Sequence, residues 1–347
     1  MYKNSILDII GETPLISLTL DSKALANVYG KLELQNPYGM KDRVAKNIIL
    51  KAKEDGLLLD GAPIIESSSG TMALGLALVG TYLGHEVHIV TDPRIDSLTK
   101  RKLKALGANL HVVNEMEKIG GWQKARLIYL NKLLERMPNA FWPQQYENIN
   151  NPNAYNALAD EAVEKIGKID YLVGSVGSGG SLCGTAKALK KRNPNIKVVG
   201  VDAIGSSIFL QNDNPKRLQS GLGNSIQPKN VDHSLIDYVH WLNDEEAFNW
   251  TRELASQEKI FAGNSSGSVY AVSRWLSRNI NVDLNILCIF PDRGDRYFET
   301  IYDDDFYNKF SLSKNHLNLN PKKENKIEVF NNWTFVNLKK VKTLETV

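Results

Sequence analysis

Short β-rich runs alternate with helix-period segments along most of this chain, and that alternation limits what it can fold into. The runs fall at 31–34, 63–65, 86–91, 109–113, 171–175, 198–202 and 286–290. Helical spacing of apolar residues occupies 42–54, 97–106, 121–136, 155–166, 180–192, 244–257 and 266–278. In the first of these segments Val44, Ile48, Ile49 and Ala52 share one face, and Asp55-Gly56 supplies the stop. The stretch LGLALVG, from Leu74, reads as a buried helix. Strand–helix–strand repetition predicts an α/β protein: two open, mostly parallel twisted sheets with helices on both faces.

A chain of 347 residues is long enough for two such units. Its 42 basic and 39 acidic residues nearly cancel, which gives no basis for a nucleic-acid or anionic-membrane partner. Cys183 and Cys288 lack metal spacing and read as small core residues in a reducing compartment. The start has no basic region followed by a long apolar run, and the apolar stretch around 73–84 is too short to span a bilayer. A cytoplasmic protein without a metal is expected. After Phe310 the chain turns polar (SLSKNHLNLNPKKENK), with short IEVF and WTFV runs. This tail reads as an appended linker with a small hairpin, outside the core.

Four loops join a strand to a helix, the position where α/β sheets collect ligands. NPYGMKDR (36–43) puts Lys41 at a helix start. That lysine is either solvated or, with its pKa depressed by the helix dipole, a nucleophilic amine. ESSSGTMA (66–73) offers three serines and a glycine ahead of a helix, which suits an N-cap or an anion site. GSGGS (177–181) suits a tight turn or a phosphate, and it matches neither a Walker loop nor a dinucleotide fingerprint. GNSSGS (263–268) opens another helix. Two anion-suited loops and one lysine fit a ligand with a phosphate, a carboxylate and an electrophilic carbon, as in pyridoxal phosphate bound to an amino acid.

In this order, the motifs resemble the cysteine synthase and cystathionine β-synthase group of pyridoxal-phosphate enzymes, fold type II. The resemblance runs from about Ser5 to Tyr307. It rests on IGETPLISL, NPYGMKDR, ESSSGTMA, QQYENINNP, GSGGS, GLGNSIQP, AGNSSGS and PDRGDRY. It implies β-replacement on O-acetylserine or O-phosphoserine by sulfide, thiosulfate or an amine such as glutamate. β-Elimination and an inert binding paralogue are the alternatives.

The resemblance also implies roles. Lys41 becomes the Schiff-base lysine and then the base at Cα. Gly177, Ser178, Gly179, Gly180 and Ser181 take the phosphate, Ser265 takes the pyridine nitrogen, and Thr71 lies beside the cofactor. Ser68, Ser69, the Thr71 segment and Gln145 take the substrate carboxylate, and Gly70, Met72 and Gly221 also line the substrate site. A smaller mobile domain (42–150) clasps substrate against a larger one (1–41 and 151–310), followed by the extension 311–347, and the enzyme is a homodimer. Departures fall at Thr71, in place of an asparagine, and at Met72, which adds apolar surface beside the substrate. Tyr38, Tyr155 and Arg293 also depart; an ion pair with Asp292 or Asp295 is the competing reading of Arg293. A phosphorylated donor needs an extra cation, for which Lys216 and Arg217 are candidates unless they are a solvated pair.

Overall fold

The computed structural model describes residues 2–19, 23–118, 121–314 and 316–341. The larger sheet takes β1 (Leu15–Ser17), β2 (Asn27–Lys31) and, later in the chain, six more strands. The smaller sheet is built from β3 (Ile64–Ser67), β4 (Val87–Thr91) and β5 (Asn109–Val112), all parallel. β3 and β4 are buried at every residue, as strands covered on both faces must be.

Helix α1 (Lys41–Glu54) places Val44, Ala45, Ile48, Ile49 and Ala52 inward. It packs on α2 (Thr71–Tyr82), which is apolar all round and buried over Met72–Gly80. The two approach closely at Gly75, where a Cβ would lie 3.1 Å from the Lys41 carbonyl oxygen. Helices α3 (Ser97–Ala105) and α4 (Gly121–Arg136) complete the cover of the small sheet. The short α5 (Asn150–Asn153) and α6 (Asn156–Ile166) lead back to the large sheet through β6 (Tyr171–Ser175), α7 (Gly180–Arg192) and β7 (Lys197–Ala203). Then follow β8 (Tyr238–Leu242), α8 (Asp244–Glu258), α9 (Asn264–Asn279), β9 (Asn285–Ile289) and α10 (Asp304–Lys309). No helix is long and apolar enough to cross a membrane among the described residues.

With the tail strands β10 (Lys322–Glu324) and β11 (Thr334–Asn337), the large sheet runs β1-β2-β9-β6-β7-β8-β11-β10. Its five middle strands are parallel, while β1 on β2 and β11 on β8 are antiparallel. The mostly parallel α/β architecture is thus as the pattern predicted.

Two local readings need correction. The run expected at 31–34 is displaced: β2 ends at Lys31, and Glu33–Gln35 form a 3-10 turn. That turn carries Glu33 to Arg43, with Nε–Oε2 at 2.7 Å, and both are buried. Arg43 also pairs with Glu161 at 2.8 Å, and Lys31 pairs with Glu161 at 2.6 Å. This network fixes the start of α1 from behind.

The tail also differs from its expected place outside the core. Within 311–347, residues 315 and 342–347 lie outside the described residues. The rest delivers β11 to the edge of β8, where Trp333 is 1 % exposed and Val336 fully buried. Trp333 Nε1 donates to His240 Nδ1 at 3.1 Å, and its backbone N–H donates to Glu246 at 2.8 Å. The expected IEVF–WTFV hairpin is absent: β11 pairs parallel with β10, formed by KKE. Apolar residues alternating in WTFV find a partner in β8, a strand the sequence reading did not register. Cys183 and Cys288 are buried, and burial pushes both thiols up to about 12.

Candidate active site

The carboxyl ends of β3, β6 and β9 open toward one cavity of about 190 Å³. Lys41, Ser68, Ser69, Gly70, Thr71, Met72, Gln145, Gly177, Ser178, Gly221 and Ser265 all line it. Of the residues singled out from the sequence, Gly179, Gly180 and Ser181 are not on its wall. Gly179 adopts φ +82° as the N-cap of α7. A Cβ on Gly180 would collide with the Asn151 side chain at 1.9 Å, so glycine there is required by packing.

Lys41 begins α1, and its Nζ donates to Ser178 Oγ at 3.0 Å. The side chain keeps some exposure through the cavity, but protein surrounds its amine. Desolvation, unanswered by an ion pair, lowers its pKa to about 8. Ser178 is also held by Asn151 Nδ2 at 3.1 Å, and the same amide donates to the Gln145 carbonyl at 2.6 Å.

Opposite, Gly70 caps α2, leaving the first-turn N–H groups facing the loop Ser68–Gly70. Glu66 joins this loop to Gln145. Its carboxylate accepts from Ser67 N at 2.7 Å, Trp142 Nε1 at 3.3 Å and Gln145 N at 3.1 Å. Burial nevertheless raises the Glu66 pKa to about 7. Met72 is only 2 % exposed and belongs to the core between α1 and α2; it touches the cavity by an edge. Ser265, in the first turn of α9, is 1 % exposed, and its hydroxyl has no partner among the described residues.

Cations fall differently from the sequence reading. Arg217 is consumed by Asp213 at 2.8 Å and by backbone carbonyls; neither it nor Lys216 lines the cavity. Arg293 is half exposed and pairs with Asp295 at 2.7 Å. The cavity instead holds Arg126 from α4 and Arg296 from the turn Gly294–Tyr297. Arg126 stood in no motif, and Arg296 lay within PDRGDRY without being singled out. Tyr155 is fully buried behind α1, beside Glu33 and Arg43. A broader cleft of about 700 Å³ lies near the N-terminus, but its Arg43 and Glu161 are already paired, as are Lys3 and Glu12 at 2.9 Å.

A family described as pyridoxal-phosphate dependent enzyme matches residues 6–292. Among solved structures, a hydrogen sulfide-producing enzyme from Fusobacterium nucleatum is 31 % identical, covering 85 % of this chain and 100 % of its own, at TM-score 0.80. An O-acetylserine dependent cystathionine β-synthase from Helicobacter pylori is 31 % identical, with coverages of 87 % and 100 % and TM-score 0.79. O-acetylserine sulfhydrylase isoform 3 from Entamoeba histolytica is 29 % identical, with coverages of 89 % and 92 % and TM-score 0.80.

The residues present fit that cofactor. Lys41 has an amine whose pKa is lowered to about 8, Ser265 has a buried hydroxyl without a partner among the described residues, and both share the cavity with Gly70, Gly177, Gly221 and Gly223. On the family match, the solved neighbours and this fit, the chain belongs to the pyridoxal-phosphate dependent enzymes of fold type II, in the cysteine synthase and cystathionine β-synthase group.

Proposed function

We propose that this enzyme replaces the β-substituent of an activated L-serine, O-acetylserine or O-phosphoserine, with a nucleophile. Sulfide, thiosulfate and the amine of glutamate are the nucleophiles to test. Lys41 carries the reading: a desolvated amine at a helix start shares one small cavity with the N-terminus of a second helix. An amine and a carboxylate-binding helix end are what an α-amino acid needs for proton transfer at Cα.

In this reading Lys41 would hold the cofactor and, once freed from it, would take the Cα proton. The bound cofactor would supply an electron sink. Gly177, Ser178, Gly179, Gly180 and Ser181 would hold its phosphate, and Thr71 would lie beside its ring. Ser265 would offer the ring nitrogen a neutral hydroxyl, which would leave that nitrogen largely unprotonated and favour prompt loss of the β-group. Ser68, Ser69, Gly70, Thr71 and Gln145 would bind the substrate carboxylate, with Met72 adding apolar surface beside the substrate and Gly221 nearby.

The Cβ–O bond breaks with its electron pair on the departing oxygen. The nucleophile forms the new bond to Cβ, an amine alone losing a proton as it does so, and Lys41 returns a proton to Cα. Segment 42–150, which contains the small sheet, closes over the substrate. The enzyme works as a cytoplasmic homodimer; sedimentation of the purified protein at two ionic strengths checks the dimer.

The test supplies each donor with and without each nucleophile and measures nucleophile consumption against pyruvate and ammonia. Product formation that requires the nucleophile supports replacement; pyruvate and ammonia with no such requirement overturns it. Lys41→Ala is expected to abolish turnover and the visible absorbance of the loaded enzyme.

A further inference from the structure

Arg296 is a charged side chain of the cavity wall that reaches from one sheet to the other. It lies in the turn Gly294–Tyr297, just beyond β9 of the large sheet. Its Nε stands 3.3 Å from Asp96 Oδ2, and Asp96 is the N-cap of α3, a helix packed on α2 and β5 of the small sheet. One residue on, Ser97 Oγ donates to Glu299 at 3.1 Å, so two neighbouring positions at the start of α3 meet the same stretch of chain. The guanidinium also lies against the N-cap of α2. A Cβ on Gly70 would stand 3.2 Å from one of its terminal nitrogens and 3.5 Å from the other. An arginine carried by the large sheet thus touches the caps of two helices within segment 42–150, and Gly70 belongs to the serine loop of the cavity.

This pair suits making and breaking better than static support. Its side chains are 15 % and 21 % exposed, so water reaches both, and 3.3 Å is long for a charge-assisted bond. The partner on the arginine's own side is Asp292, at 3.5 Å. That carboxyl already accepts from the Tyr297 hydroxyl at 2.8 Å, and burial raises its pKa. Asp96 is therefore the main counter-charge of Arg296, and it comes from the opposite side of the cavity. A guanidinium at this depth is costly unless an anion meets it; once the small sheet moves away, water takes the place of Asp96. Asp96 also has two separable contacts: Oδ1 accepts from Thr99 N at 2.7 Å as the helix cap, and Oδ2 meets Arg296.

We propose that Asp96 and Arg296 form a latch that holds segment 42–150 closed over a bound amino acid, so that ligand release waits on the opening of this pair. The inference rests on the reading given above for two things only, an α-amino acid as ligand and the closing of 42–150. Both residues are positioning residues: they act through Gly70 and the loop before it, which the guanidinium keeps in place.

The experiment uses the loaded enzyme and L-serine. Stopped-flow tryptophan fluorescence gives the association and release rates, and hydrogen exchange follows the amides of 67–71 with and without L-serine. Asp96→Asn keeps a good cap and removes the charge, whereas Asp96→Glu keeps the charge and weakens the cap. Asp96→Asn is expected to release L-serine about tenfold faster, with association changed less than about threefold and the melting temperature close to that of wild type. Asp96→Glu is expected to melt lower yet release L-serine at nearly the wild-type rate. L-Serine is expected to slow exchange at 67–71 in wild type, and to slow it less in Asp96→Asn. Unchanged release in Asp96→Asn overturns the latch. Equally fast release in both variants also overturns it, because the effect then belongs to the helix cap. If L-serine leaves exchange in wild type unaltered, nothing closes and the latch falls as well. Pyruvate and ammonia formed without any need for a nucleophile overturn β-replacement alone, and the release rates still decide the latch. Should the variants fold poorly, the wild type suffices: release is expected to quicken about threefold between about 0.05 M and about 0.5 M sodium chloride, and release indifferent to salt overturns the latch.

Discussion

The ordinary lysine preference for the charged form is weakened at Lys41 because its amine is desolvated and no carboxylate meets it. Its neutral amine is the form that can attack an aldehyde. The rate at which apo-protein captures the cofactor, followed by the growth of visible absorbance, is therefore expected to rise with pH around a midpoint near 8. A midpoint near an ordinary lysine's would show that the amine is solvated. Glu66 acts through its neighbours. In Glu66→Gln one of the bound N–H groups must face an amide N–H, a loss of about 1–3 kcal/mol, so KM for the amino-acid donor is expected to rise roughly tenfold. Cofactor absorbance unchanged with KM raised identifies a positioning role; unchanged KM refutes it. Lys41, the serine loop and Ser265 were legible in the sequence because each belongs to a contiguous strand-to-helix loop. Arg126 was not: it is an ordinary member of a helix, and only tertiary packing brings it to the cavity. Asn151 and Glu66 lay within quoted motifs, but the partners that give them their roles come from packing.

Elements whose apolar pattern is continuous were found close to their true positions, α1 and α7 among them. Elements defined by their partner were not. β11 is four residues long and becomes a strand because β8 offers an open antiparallel edge, while Trp333 fills the space between Trp250 and His240. Trp333→Ala is expected to cost about 3–5 kcal/mol of stability, since it empties a large buried site and strands His240. Thermal melting checks this, with turnover per folded molecule expected to stay unchanged because Trp333 is not on the cavity wall. A variant as stable as wild type would show the tail to be dispensable. The 3-10 turn at Glu33–Gln35 went unread for a related reason: the buried Arg43 pair decides it, and nothing in LEL announces that pair.

Across the whole molecule, burial holds the carboxyls of Asp42, Glu66 and Asp202 protonated up to about pH 7. The folded state binds these protons more tightly than the unfolded chain. Their contribution is therefore full below the ordinary carboxylate range and declines as pH rises toward 7. Glu161 runs the other way: Arg43 and Lys31 hold it at about 2, and its contribution is lost as pH falls from the ordinary glutamate range toward 2. In Asp202→Asn the decline in melting temperature between pH 4.5 and 7.5 is expected to be shallower than in wild type, by a few degrees over that span. An identical slope would mean that Asp202 ionises freely.

The placement of β11 has a consequence for synthesis. The β8 edge that it covers leaves the ribosome well before it, so a nascent chain that has not yet reached Thr334 carries an unpaired strand rich in Tyr, Val, Trp and Leu. Such an edge can recruit strands from neighbouring chains. Truncation before Thr334 should therefore reveal itself first as aggregation during expression, before any change in chemistry.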